Sequence, residues 1–197
     1  MLTLIIVFNR ITPPDFNIKN IPGTGNRIDV ILRSILAVLN SNYYAYLKPQ
    51  IVIVFEKYFS RAKTLFITPS SNLNIENEFS AALLFKKLLK TGFEPSGLPE
   101  NIVVESLSFI EVIQSLKPIK KLYYMHRAGQ PLSNNLLQNG NAGFILGDSE
   151  GLTENQEFFL ETLGVGKLSL GPVEYLTSQC ISLLQYYFCK NVLNIKN

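Results

Sequence analysis

Two hydrophobic rhythms trade places along the chain. Apolar runs of strand length occur at "LTLIIVF" (2–8), "IVIVFE" (51–56), "TLFITP" (64–69), "NIVVES" (101–106), "KKLYYM" (120–125), "AGFILG" (142–147) and "KLSLG" (167–171). These are rich in Val, Ile, Leu and aromatics, as strands buried on both faces require. Between them apolar residues recur every three or four positions. "RIDVILRSILAVLNSNY" (27–43) carries them at 28, 31, 32, 35, 36 and 39, one face of a helix. "NIENEFSAALLFKKLLKTG" (74–92) predicts a helix with an acidic first turn and a stop at Gly92. "LSFIEVIQSLK" (107–117), "ENQEFFLETLG" (154–164) and "YLTSQCISLLQYYFCKNVL" (175–193) predict three more helices. "NRITPPDFNIKNIPGTG" (9–25), dense in Pro, Gly and Asn, reads as loop.

Strands alternating with helices imply an α/β fold, a mostly parallel sheet covered on both faces. No repeat, low-complexity tract or composition break marks a linker, so residues 1–197 read as one domain. Composition agrees, with 47% hydrophobic and 17% charged residues. No apolar run reaches the roughly 18 residues of a membrane span. "MLTLIIVFNR" lacks the basic start and small-residue cleavage site of a signal peptide. An intracellular, cytoplasmic protein is expected, with no membrane partner.

Cys180 and Cys189 are too few for a disulfide framework, and a single histidine, His126, makes a metal centre or a serine–histidine triad improbable. No metal is expected. The net charge of +3 is too mild to establish nucleic-acid binding. The densest lysine clusters, "FKKLLK" (85–90) and "KPIKK" (117–121), read as solvated helix and loop faces.

Ligands of open α/β sheets sit outside the carboxyl ends of the strands. Three loops have the right character there: "MHRAGQPLSNN" (125–135), "GDSEGLTENQ" (147–156) and "GPVEYLTSQC" (171–180). Their glycines let backbone approach a ligand closely, while neither a G-x-G-x-x-G nor a Walker pattern is present. Any one loop alone reads equally as strand end and helix cap.

Taken together, "IPGTGNRIDVILRSILAVLNSN", "FILGDSEGL" and "SLGPVEYLTSQCI" resemble the archaeal tRNA pseudouridine-54 N1-methyltransferases of the SPOUT superfamily. The resemblance extends from Met1 to about Phe188. It implies a C-terminal trefoil knot, with knot and cofactor site in about residues 120–190, and S-adenosylmethionine as cofactor. It also implies tRNA as substrate and a homodimer. The cofactor-binding positions implied are Tyr124, Met125 and Gly129, then Leu146, Gly147 and Asp148, then Ser169, Leu170, Gly171 and Pro172, with Thr177 and Cys180 on the last helix. Pseudouridine N1 must lose a proton, and Cys180, Asp29 or a water are the candidate acceptors; Cys180 reads equally as a small residue packed on the cofactor. Arg27 and Arg33 match basic positions of the family and are expected to grip RNA phosphates, with Asp29 able to orient Arg27 instead of reacting. His126 and Arg127 are expected to face the target base. Tyr43, Tyr44 and Tyr46 read as packing residues.

Two departures stand out. Lys48-Pro49-Gln50 replaces an Arg and an Asp of the family pattern before the second strand, and Phe79 replaces an arginine. They leave the cofactor side intact and weaken the RNA side. An rRNA pseudouridine N1-methyltransferase, or a catalytically impaired SPOUT protein of RNA binding or assembly, are the alternatives.

Overall fold

The structure, a computed structural model, describes residues 1–58, 61–68, 75–94, 98–133 and 141–192, without the side chain of Val192. Pro69, Asn74, Leu193, Asn134 and Asn135, at the ends of expected segments, lie outside the described residues. The strands are β1 (Leu2–Phe8), β2 (Gln50–Phe55), β3 (Lys63–Ile67), β4 (Ile102–Glu105), β5 (Lys121–Pro131), β6 (Ala142–Leu146) and β7 (Gly166–Ser169). They form one sheet in the order β4-β3-β2-β1-β6-β5-β7. The β1–β2, β1–β6, β5–β6 and β5–β7 pairings are parallel. β3 alone runs against its neighbours β2 and β4, because residues 56–62 are too few for a parallel crossover. The sheet is therefore mostly parallel, as expected.

Every residue of β1 is buried. Leu2, Leu4, Ile6 and Phe8 join one core, Ile5 and Val7 the other, so alternate side chains feed two opposite faces. The first core is closed by α2 (Asp29–Leu39), α4 (Glu78–Lys90) and α7 (Thr177–Val192). The second is closed by α5 (Phe109–Leu116) and α6 (Glu154–Thr162). Capping boxes begin α4 (Asn77, Ser80), α5 (Ser108, Glu111) and α6 (Thr153, Gln156), each satisfying amides that the first turn leaves bare.

Three short helical pieces were not legible in the sequence. A 3-10 turn (Ile18–Asn20) and α1 (Ile21–Thr24) break the segment expected as loop, and α3 (Tyr44–Leu47) precedes β2. Asn17 and Asn20 accept the capping bonds, and Pro22 falls in a first turn, where its missing N–H costs nothing. All three are shorter than a periodicity can reveal.

Phe55 packs its ring 5.7 Å from Phe8, 6.1 Å from Phe85 and 5.2 Å from Phe93. Phe55→Ala should cost about 3–5 kcal/mol in urea denaturation. A loss below about 1 kcal/mol would show that this cluster does not anchor the sheet.

Candidate active site

The three loops singled out in the sequence follow β5, β6 and β7, which are neighbours and parallel. Their carboxyl ends therefore meet, and a cleft of about 350 Å³ opens there. Its floor and walls come from Met125, Leu146, Gly147, Asp148, Ser169, Leu170 and Gly171, with Thr177 and Cys180 from the start of α7. Nine of the twelve expected cofactor positions are thus brought together. Tyr124, Gly129 and Pro172 are not. Tyr124 is 2% exposed and packs in the second core behind the wall, where burial pushes its phenol well above the ordinary range. Gly129 lies against β7, with its Cβ position 2.6 Å from the Leu168 backbone. Pro172 is exposed beyond the rim.

The first loop is a correction. Residues expected to leave the sheet after Tyr124 stay in β5 to Pro131. Met125 and Gln130 both pair with Leu168, so residues 126–129 bulge out and the strand then resumes. β7 supplies the hydrogen-bond partners that recapture the chain, ending with Leu132 N–H donating to Ser169 O at 2.9 Å.

The second loop is held by close backbone contact. A Cβ at Gly147 would lie 2.3 Å from the Gly151 carbonyl carbon, so only glycine fits. Asp148 accepts from Asn9 N–H at 3.1 Å and from Glu150 N–H at 2.9 Å. Thr177 Oγ1 donates to Gly147 O at 2.9 Å, fastening α7 to the end of β6. In the third loop Gly171 adopts φ +135°, a conformation other residues rarely reach, and Ser169 Oγ bonds both its N–H and its carbonyl. Space beside Gly171 is open, so its requirement is conformational whereas that of Gly147 is steric.

Side chains at the cleft divide by charge. Burial pushes the Cys180 thiol up to about 11, and no cation opposes it, so it is a thiol at neutral pH. His126 and Arg127 line the cleft. His126 Nδ1 accepts from Ala128 N–H at 3.2 Å, so in the neutral ring the proton sits on Nε2. Arg127 reaches across to Glu174 at 2.6 Å, both side chains being exposed. Glu157 and Glu174 add carboxylates that sequence reasoning missed. Glu157 belongs to the capped first turn of α6, a place where acids are commonplace, so nothing in the pattern marked it.

Asp29 does not line the cleft. It is 1% exposed and takes Arg27 on both oxygens, at 3.0 and 3.3 Å, with Arg33 at 3.8 Å. Asp29, and more weakly Asp148, raise the pKa of Arg27. Arg27 and the preceding Asn26 have φ of 69° and 48°. Such backbone costs roughly 1–2 kcal/mol per residue, and its presence here aims Arg27 at Asp29. Lys48-Pro49-Gln50 lies at the other end of the sheet, where Gln50 pairs with Thr3 at the amino end of β1. That departure therefore leaves the cleft untouched. Phe79 is 60% exposed on α4. Among the described residues, no group of three His, Cys, Asp or Glu is placed to hold a metal, and no helix is long and apolar enough to cross a membrane.

Alkylation of Cys180 by iodoacetamide, followed by mass spectrometry, should be slow at pH 7.5 and rise tenfold per pH unit until near pH 11. A plateau below pH 9 would show a stabilised thiolate.

The chain matches, over residues 2–191, the family described as "Putative SAM-dependent RNA methyltransferase". It is 34% identical to the tRNA (pseudouridine(54)-N(1))-methyltransferase of Thermococcus onnurineus, covering 95% of this chain and 96% of the relative. The enzyme of the same name from Thermococcus kodakarensis is 32% identical, covering 95% and 98%. Among solved structures, Archaeoglobus fulgidus Nep1 bound to S-adenosylhomocysteine superposes with a TM-score of 0.70 at 11% identity, over 95% of this chain and 97% of that one. At that identity the likeness is one of fold, and it agrees with the mostly parallel α/β sheet expected from the sequence. The match along nearly the whole length places this chain in the family of SAM-dependent RNA methyltransferases that includes the two Thermococcus enzymes.

Proposed function

We propose that the chain methylates N1 of pseudouridine 54 in the T loop of tRNA, using S-adenosylmethionine. One observation carries the reading. A glycine-walled cleft stands at three adjacent strand ends, in a chain aligned over 95% of its length with enzymes bearing that name.

The cleft suits the cofactor by its donor set. Leu146, Leu168 and Leu170 offer apolar surface for an adenine, and the bare backbone around Gly147 and Gly171 offers amides and carbonyls. Glu157 and Glu174 are each paired with a cation, Lys167 and Arg127, which leaves cofactor recognition to the backbone and the apolar walls. When bound, S-adenosylmethionine supplies an electrophilic methyl group on a cationic sulfur. The protein's work is then to bring the nucleotide nitrogen into line, which lowers the barrier by removing translational freedom.

Of the three candidate proton acceptors, Cys180 is held as a thiol and Asp29 is engaged by two arginines. In this reading solvent water takes the N1 proton. His126, with its proton on Nε2, donates to a carbonyl of the target base and stabilises the charge that deprotonation builds. Cys180 packs as a small residue on the cofactor. Arg27 and Arg33 hold RNA phosphates, with Asp29 orienting them. The trefoil knot, the homodimer and the cytoplasmic location belong to the same reading. The tie from α7 back to Gly147 supports a C-terminal segment wrapped around the site. Val173 at the cleft and Leu176 just before α7, each 60% exposed, support a second copy covering this face.

The test is methyl transfer from labelled S-adenosylmethionine to a T-loop stem-loop carrying pseudouridine, beside the same RNA with uridine. Label should enter the pseudouridine RNA alone. Label on neither RNA would overturn the substrate, and label on both would overturn the N1 assignment. Gly171→Val should abolish cofactor binding in calorimetry, since no branched side chain adopts φ +135° without reshaping the loop. Unchanged affinity would remove this loop from the site.

A further inference from the structure

Asn9 follows the last residue of β1, and Gln156 sits in the first turn of α6, 147 residues away. Neither lines the cleft. Their side-chain amides nevertheless form a closed pair. Asn9 Nδ2–H donates to Gln156 Oε1 at 3.0 Å, and Gln156 Nε2–H donates to Asn9 Oδ1 at 2.9 Å. Thr153 N–H adds a second donor to Gln156 Oε1 at 2.9 Å. The capping residue of α6 is thereby coupled to the end of β1, a connection that helix capping itself does not need.

The same stretch of β1 also holds the loop between them. Asn9 N–H donates to Asp148, and the next residue, Arg10, pairs with Glu150 and stands 3.9 Å from Asp148. The segment from Gly147 to Leu152, which walls the cleft, is thus gripped at both ends from outside the ligand space. Gln156 is 7% exposed, so losing its partner leaves an amide unsatisfied where water has little access. The head-to-tail pairing tolerates one orientation of each amide, since a flip of either would set oxygen against oxygen and nitrogen against nitrogen.

We infer that Asn9 and Gln156 are positioning residues, which set cofactor affinity by fixing the β6–α6 loop without touching the ligand. This rests on the cleft being the S-adenosylmethionine site. The fold does not depend on the pair, because the Gly147–Gly151 contact, the Asp148 bonds and the Thr177 tie remain when either side chain is shortened.

The test compares Asn9→Ala, Gln156→Ala, the double variant and Gln156→Glu in the full-length chain. Cofactor dissociation constants come from calorimetry, kcat and KM from methyl transfer to the pseudouridine stem-loop, and folded fraction from circular dichroism. Each alanine variant should raise the cofactor Kd and KM about tenfold while kcat at saturation stays within about twofold. The double variant should be no weaker than the worse single, because both break one pair. Gln156→Glu keeps an acceptor for Asn9 Nδ2–H and Thr153 N–H, and should recover part of the loss. Unchanged cofactor affinity in both single variants, with wild type binding normally, would overturn the inference alone. So would a loss of affinity that only tracks a falling folded fraction. A wild-type chain that binds no cofactor would overturn the site and this inference together.

Discussion

The Asp148 side chain is 1% exposed, and a carboxylate so enclosed must find donors inside the protein. It finds them in the N–H groups of Asn9 and Glu150, with Arg10 nearby. Those bonds tie the end of β1 to the turn after β6. The turn can then press Gly147 against Gly151, and the carbonyl of Gly147 can receive Thr177 from α7. The shape of the cleft follows from that chain of contacts. Removing one donor would leave the buried carboxylate under-satisfied, which is more costly than the bond itself was stabilising.

The chemistry proposed for this cleft asks little of ionisable side chains, and among the described residues few at the cleft are free. The thiol at the start of α7 is held protonated by burial, and the nearby carboxylates are mostly engaged by cations. What the site offers in abundance is fixed backbone at strand ends. Transfer of a methyl group from a strong donor to a nitrogen depends above all on holding two centres in line. A rigid backbone cleft suits that task better than a mobile constellation of acids and bases. The two arginines converging on Asp29 are the part of the structure proposed to meet the RNA. A buried carboxylate shared by two half-exposed guanidiniums holds them at fixed spacing, and Arg33 is held also by Glu78.

The Lys48-Pro49-Gln50 departure from the family pattern falls away from the cleft. Lys48-Pro49-Gln50 precedes β2 at the amino ends of the parallel strands, and Lys48 takes a left-handed turn that ends α3. A substitution there alters how a helix hands over to a strand. Sequence position alone suggested a weaker RNA side, because linear proximity to a strand does not say which of its ends matters.

Much of the fold was legible in the pattern of apolar residues. β1 and β2 read as strands because every position but Gln50 is buried, and α2 and α5 read as helices because only one face is. The glycines of the β6 and β7 loops were legible too, since glycine at a strand end marks a backbone that must turn sharply or approach closely. The continuation of β5 to Pro131 was not, because "HRAGQP" has no strand pattern and is kept in the sheet only by the edge of β7. Nor was the exclusion of Tyr124 from the cleft legible, because its neighbour Met125 points the other way from the same strand. Asn9 and Gln156 are ordinary polar residues in the sequence, and only the fold makes them partners. The sequence by itself determined the elements, their class and the three loops able to meet a ligand, because periodicity and glycine are local properties of the chain. Which side chains face the cleft, which carboxylates are already paired and which distant amides close on each other was decided by tertiary structure, because burial and hydrogen bonding depend on neighbours remote in the chain.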